Sequence, residues 1–134
     1  MTLEIVTTSN YETTCYSNTY TILSGNTSNL GVTSTYSLNT KVPAIIIQEE
    51  YTDSKINTSE NVVLCTVEIS VLGKTIKDVA EYSSEIRTLM DESQSDLHKH
   101  NMDFRHRSIS VILPLERGDQ RIHYRRLLYT YVIK

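Results

Sequence analysis

Residue groupings that carry out reactions are missing from this sequence. It has no Gly-x-Ser-x-Gly motif, which marks many nucleophilic serines. Gly73-Lys74-Thr75 lies between a predicted strand and a predicted helix, as the end of a phosphate-binding loop does. That motif needs a glycine at the position of Glu68, so we interpret the segment as a strand-to-helix turn. We therefore expect that the protein is not an enzyme and binds no nucleotide cofactor.

A convincing set of metal ligands is also missing. His98, His100 and His106 stand near two aspartates, and imidazole and carboxylate groups do bind metals. However, their spacing matches no familiar ligand pair, and the neighbouring Arg105 and Arg107 disfavour a bound cation. We interpret this stretch as a solvated loop, and we expect no metal and no other cofactor.

Cysteine, excess charge and long apolar runs are all scarce. Cys65 lies in the most apolar predicted strand, which favours a reduced, buried thiol over a single disulfide bond to the distant Cys15. The net charge of −3 gives no general attraction to nucleic acid. No apolar run approaches the about 18 residues that span a bilayer, and the first residues lack the pattern of a signal peptide. We expect no membrane partner and no specific nucleic-acid partner.

Residues 9–41 form a compositionally biased segment. Ser, Thr and Asn fill 19 of its 33 positions, and its only charged residues are Glu12 and Lys41. Such side chains compete for backbone hydrogen bonds and weaken helices, whereas Thr and Tyr suit strands. Over residues 1–41 we predict an extended arm, or a β-hairpin with strands near residues 19–23 and 32–38 joined at Ser24-Gly25-Asn26.

Residues 42–134 predict a core domain with the order β-β-α-β-β. Apolar or alternating runs at residues 42–48, 61–72, 108–113 and 121–133 predict four strands. Ile76, Val79, Ile86 and Met90 recur at helical spacing after a Thr75–Asp78 capping pair, so we predict a helix over residues 75–90. The polar residues 49–61 and 91–107 predict loops.

The Glu116-Arg117-Gly118-Asp119 sequence predicts a turn between the last two strands. Its last three residues also spell a cell-adhesion tripeptide, but we interpret them as ordinary turn residues. The elements together predict an α+β fold, with a small, mostly antiparallel β-sheet packed against one long helix and an extended N-terminal arm or hairpin. A chain of this length is expected to form one domain.

Surfaces are therefore the expected carriers of function. The last hairpin is locally basic, and arginine side chains suit carboxylates on a protein partner. The final strand has apolar residues on both faces, which suggests that a second surface is covered. The predicted interface combines arginines of the hairpin with tyrosines of the final strand and the arm: Arg117, Arg121, Arg125, Arg126, Tyr129, Tyr131, Tyr16, Tyr20 and Tyr36.

The order of these elements resembles the tail terminator, or tail completion, proteins of tailed bacteriophages. A short strand follows a proline in Val42-Pro43-Ala44-Ile45-Ile46-Ile47, and a long strand at residues 62–72 leads into the helix at residues 75–90. A charged connection and a final hairpin, residues 107–115 and 121–134, complete the resemblance, which covers about two thirds of the chain. Members of this family often begin with a helix, and we predict none here.

The resemblance implies a virion structural protein of the phage tail or neck, made and assembled in the host cytoplasm. Copies would form a homo-oligomeric ring, expected to be a hexamer, at the head-proximal end of the tail tube. The ring would end tube polymerisation and join the tail to the neck. Its partners would be further copies of itself, tail-tube proteins and neck or connector proteins, with DNA passing through the lumen.

Other functions remain open. Head–tail connector, neck and other tail proteins of similar size are alternatives within the same class. A monomeric ligand-binding domain on a ferredoxin-like scaffold would use the sheet face or residues 49–61. An RNA-binding sheet would use its tyrosines as stacking platforms and would bind single strands in a salt-dependent way.

Overall fold

A computed structural model describes residues 2–24, 27, 31–34, 36–37, 40–52 and 62–134, with the backbone alone at residues 49–52. Three helices and six strands follow one another in these ranges. In chain order they are α1 (Tyr11–Leu23), β1 (Gly31–Thr33), β2 (Ala44–Thr52), β3 (Val63–Gly73), α2 (Ile76–Glu92), α3 (Gln94–Lys99), β4 (Asp103–Ile109), β5 (Leu113–Arg117) and β6 (Gln120–Ile133).

The strands form one six-stranded sheet in the order β1-β2-β3-β6-β4, with β5 also paired to β6. The β1–β2 pair is parallel and the other described pairs are antiparallel, so the sheet is mixed. The predicted α+β fold is confirmed. The predicted single helix is not, because α1 joins α2 against the sheet and the short α3 follows α2.

Side chains alternate between two faces of this sheet, as strand geometry requires. The helix face, which α1 and α2 cover, contains Ile69, Leu127 and Tyr129, all of them buried. The open face, on the other side, contains Thr66 and Leu128. A second and smaller apolar cluster lies on the open face at one end of the sheet, where Ile46, Leu72 and Ile122 are buried.

The extended arm predicted at the N-terminus is wrong over Tyr11–Leu23, which is helix α1. Seven of its residues are buried at helical spacing: Tyr11, Thr14, Cys15, Asn18, Thr19, Ile22 and Leu23. The buried polar groups are satisfied, since the Thr19 hydroxyl donates to the Cys15 carbonyl at 2.8 Å. The Asn18 amide exchanges two 2.9 Å hydrogen bonds with the Glu4 backbone. Tertiary packing therefore overrides the poor helix propensity of this segment.

The rest of the predicted arm is described only in part. Its predicted strand near residues 32–38 overlaps β1 at Val32 and Thr33, whereas Leu38 lies outside the described residues. The turn predicted at Ser24-Gly25-Asn26 also lies outside them, except for Ser24. The predicted loop over residues 49–61 is wrong at residues 49–52, which belong to β2, while residues 53–61 are not described.

The charged connection predicted over residues 91–107 is wrong in most of its length. It contains the end of α2, the short helix α3 and most of strand β4. The predicted helix itself is confirmed to within two residues at its end, and the Thr75 hydroxyl accepts a 3.1 Å hydrogen bond from the Asp78 amide, as the capping pair predicts.

One predicted strand, residues 108–113, is divided between β4 and β5. Ile109 lies opposite Leu127, and Leu113 lies opposite Tyr124. The segment from β4 to β5 therefore advances four residues while β6 advances three. The extra residue is accommodated beside Arg126. The Ser110 backbone amide donates to the Arg126 carbonyl, and the Arg126 backbone amide donates to the Ser110 hydroxyl. An added residue reverses which side chains face which way. Ile109 therefore lies on the helix face and Leu113 on the open face, although simple alternation predicts one face for both.

Gly73, at the end of β3, is required by the close approach of α2. A Cβ atom added there would lie 2.9 Å from the Val79 Cγ2 atom and 3.3 Å from the Val79 backbone nitrogen. We expect Gly73→Ala to lower the free energy of unfolding by about 1–3 kcal/mol, because the backbone of α2 must move. Urea denaturation followed by circular dichroism measures this change.

Gly31 provides the matched control for that substitution. A Cβ added at Gly31 meets no atom within 4 Å in the described structure. Gly31→Ala should therefore leave stability unchanged or raise it by about 0.5 kcal/mol, because alanine restricts the unfolded chain. Equal effects of the two alanines would contradict the close packing of β3 against α2.

Candidate interaction surfaces

The nine residues predicted to form an interface do not lie on one surface. They divide among the helix face of the sheet, its open face, the β5–β6 hairpin and helix α1. They also differ in exposure and in the partners that already occupy their polar atoms.

Tyr129 and Tyr131 lie on the helix face and are each only 1% exposed, so they belong to the core. Burial raises the pKa of Tyr129 to about 12, with the charge of Asp91 adding to the rise and that of Arg107 opposing it. Burial also raises the pKa of Tyr131 well above its ordinary value. The Tyr129 hydroxyl has no hydrogen-bond partner among the described residues. A partner could reach these rings only by displacing the helices.

Arg125 and Arg126 point to opposite faces of β6. Arg125 lies on the helix face and donates a 3.2 Å hydrogen bond to the hydroxyl of Ser83, a buried residue of α2. Arg126 lies on the open face and donates at 3.2 Å to Glu68, which is buried in spite of its charge. Both arginines therefore have structural partners, and Arg126 is the more exposed of the two.

Arg117 and Arg121 lie at the β5–β6 hairpin, whose turn contains Gly118 at a φ of 61°. Arg121 is exposed and pairs with Glu116 at 3.5 Å. Arg117 donates to the Thr40 carbonyl at 2.6 Å and to the Gln120 side chain at 3.2 Å. The hairpin end of the sheet is thus accessible, and its two arginines are accompanied by Glu116 and Asp119.

Three tyrosines of the predicted arm were assigned to the predicted interface, and two of these three lie together on α1. Tyr16 and Tyr20 stack with ring centroids 6.3 Å apart, and Tyr20 is the more exposed of the two. Tyr36 lies on the open face, where it lines a cavity of about 140 Å³ with Ile46, Leu72 and other apolar residues. The tyrosines therefore belong to two separate surfaces on opposite sides of the sheet.

The sequence reasoning missed three exposed apolar residues in the outer part of the sheet: Phe104 of β4 on the helix face, Val111 between β4 and β5, and Leu113 of β5 on the open face. Phe104, Val111 and Leu113 are exposed, and Val111 reaches 69%. β4 and β5 pair with β6 on one side, and no other described strand pairs with their outer edge. The signal was present as an alternating apolar pattern at residues 109–113, but it predicted a buried face rather than an exposed edge.

A second open edge lies at the other end of the sheet. β1 covers β2 only at Ala44, Ile45 and Ile46. From Ile47 to Thr52 no described strand pairs with the outer edge of β2. The sheet therefore ends in two different strand edges, each with backbone groups that can pair with another chain.

Two of the three histidines that resembled metal ligands have other hydrogen-bond partners. His98 pairs with Asp103, while His100 bonds to the backbone carbonyl of Asp96 at 2.6 Å. In the part of the chain that the structure describes, no three metal-binding side chains come together. Cys15 and Cys65 are buried and form no disulfide bond with each other, as the predicted reduced state of Cys65 requires.

Comparison of the sequence with protein-family models and with curated proteins finds no match. Within the described ranges, no helix is both long enough and apolar enough to cross a membrane.

Proposed function

We propose that this chain is a virion structural protein of the tail terminator type, which forms a ring at the head-proximal end of a phage tail. The ring ends tube polymerisation and joins the tail to the neck. The proposal is supported chiefly by one observation, the pair of different open strand edges at opposite ends of the same sheet.

Two different edges suit head-to-tail joining. A ring requires one patch of each copy to meet a different patch on the next, so the contact is not self-complementary. The outer part of the sheet exposes Phe104 of β4, Leu113 of β5 and Val111 between the two strands, together with the basic Arg105. The sequence of β2 contains Glu49 and Glu50. An apolar, basic edge and a strand with two acids are compatible partners for strand addition between copies.

The N-terminal helix also supports the proposal. Members of the tail terminator family often begin with a helix, and α1 supplies one ahead of the strands. The predicted extended arm departed from the family at this point, and α1 packed against the sheet does not.

The open-face cavity favours a second candidate function, a monomeric ligand-binding domain. The cavity beside Tyr36 measures about 140 Å³ and is lined mainly by apolar side chains such as Leu72 and Leu115. Ligand pockets are usually larger, at about 300–1,000 Å³. This volume suits a single apolar side chain or a small fragment, so we rank this function second.

The test is the mass of the assembly as a function of concentration. Native mass spectrometry and light scattering on a sizing column should give a closed ring, expected near six times the chain mass of 15.3 kDa. Val111→Lys should shift this species to monomer, because Val111 lies exposed between β4 and β5, where a lysine opposes strand pairing with another copy. The dissociation constant should rise at least about tenfold, which corresponds to about 1.4 kcal/mol.

Ile76→Lys is the matched control. Ile76 is an exposed isoleucine on α2, away from both strand edges, so this variant should assemble like the original chain. A chain that stays monomeric at high concentration contradicts autonomous ring formation and favours the ligand-binding domain. Equal losses of assembly in the two lysine variants would show that the β4–β5 edge is not the contact.

A further inference from the structure

A cavity of about 330 Å³ lies at the hairpin end of the sheet. Three cations line it from three separate parts of the chain. Lys41 comes from the segment before β2, Lys74 from the turn between β3 and α2, and Arg117 from the end of β5. No described aspartate or glutamate lines the cavity, although the whole chain has a net charge of −3.

Arg117 is held in position by its neighbours. Its guanidinium donates through Nη1 to the Thr40 carbonyl at 2.6 Å and through Nη2 to the Gln120 side-chain oxygen at 3.2 Å. A guanidinium has five N–H donors, so further donors remain after these two bonds. An arginine fixed in this way loses little freedom when it binds an anion.

The residues around the cavity carry charges of both signs, with Asp78 in the first turn of α2 and Asp119 in the β5–β6 turn, but neither acid lines the cavity. Lys74 directly precedes Thr75, the N-cap residue of α2, and the amino end of a helix carries a partial positive charge. The nearest acid on β5, Glu116, pairs with Arg121. Ile122, which is buried, contributes an apolar wall to the cavity.

We propose that this cavity binds a phosphate group through Lys41, Lys74 and Arg117. Lysine and arginine are the side chains that bind phosphate oxygens most strongly, and the cavity has room for phosphate or pyrophosphate. Binding rests on side-chain charges and not on a glycine-rich backbone cradle, because Glu68 stands where that cradle needs its first glycine. The cavity lies within one chain, so the proposal does not depend on ring formation.

The phosphate can come from a free compound or from a DNA backbone. The experiment titrates the ¹⁵N-labelled full chain with pyrophosphate at constant ionic strength and follows the amide signals of Lys74 and Gln120. A parallel titration uses a short DNA duplex in the same buffer. Saturable shifts with pyrophosphate alone indicate a free phosphate compound, whereas saturable shifts with both indicate a backbone phosphate.

The variant Lys41→Gln/Lys74→Gln should weaken pyrophosphate binding at least about tenfold, because two of three charges are removed. The matched control is Lys99→Gln/Lys134→Gln, which removes the same charge from exposed positions at the other end of the sheet. The control should change the affinity by less than about twofold. Equal weakening in the two variants, or no saturation by about 10 mM pyrophosphate, would overturn the proposal.

Discussion

Replacing Tyr131 with alanine is expected to lower the free energy of unfolding by about 3–5 kcal/mol. The ring is 1% exposed on the helix face, beside Cys15 of α1 and Cys65 of β3. Phe104 contacts its edge, with ring centroids 6.3 Å apart. Removing the ring leaves a cavity where α1 meets the sheet. A folded domain has a total free energy of unfolding of only about 5–15 kcal/mol, so this loss is a large part of it. Urea denaturation followed by circular dichroism measures the loss.

Tyr20→Ala is the matched control for that substitution. Tyr20 lies on the outer side of α1 and is 39% exposed, so its loss should cost less than about 1 kcal/mol. The comparison also tests the sequence prediction that Tyr131 belongs to a subunit interface. If Tyr131→Ala changed the oligomeric state but left monomer stability unchanged, the interface prediction would be supported and the buried position contradicted.

Alkaline pH is expected to destabilise the fold steeply between about pH 10 and pH 12. The pKa of Tyr129 rises from 10.0 to about 12 in the folded state, chiefly because the ring is buried. The folded chain therefore holds this proton more tightly than the unfolded chain does. The resulting stability is fully present below about pH 10 and is lost as the pH rises through 12, up to about 3 kcal/mol. Tyr131, whose pKa is also raised, adds to the loss.

The measurement is the free energy of unfolding at a series of pH values, for the original chain and for Tyr129→Phe. The substitution should reduce the slope above pH 10 by up to about 1.4 kcal/mol per pH unit. At neutral pH it should change stability by less than about 1.5 kcal/mol, because the hydroxyl makes no hydrogen bond of normal geometry among the described residues and its polar neighbour is the Arg107 guanidinium. Tyr20→Phe, at an exposed ring, serves as control. Identical slopes in all three proteins would contradict the effect of burial on Tyr129.

Much of the fold from β3 onward follows from local sequence signals. The alternation in β3, the apolar stripe of α2, the Thr75 cap and the Gly118 turn all act over short distances, and each predicts the element that forms. Helix α1 could not be found in this way. Its buried stripe contains Thr14, Asn18 and Thr19, which look like surface residues until the partners of their polar groups are known.

The face reversal between β4 and β5 was hidden for a similar reason. It depends on hydrogen bonds between Ser110 and Arg126, which are distant in sequence. The same limit applies to the predicted interface. Adjacent residues such as Arg125 and Arg126 look equivalent in sequence, yet one bonds beneath α2 and the other bonds to Glu68 on the open face. Local chemistry locates the arginines of the hairpin, but it cannot assign residues to faces.

Strand β6 is the last strand of the sheet in sequence, yet it lies inside the sheet. During synthesis, β3 keeps one edge unpaired, and β4 and β5 have no other described partner, until β6 has left the ribosome. The pairing of β3, β4 and β5 with β6 therefore has to follow the synthesis of β6. Nascent chains emerge with open strand edges, and a strand of another chain can pair with them. Chains made by neighbouring ribosomes on one mRNA are therefore at risk of exchanging strands.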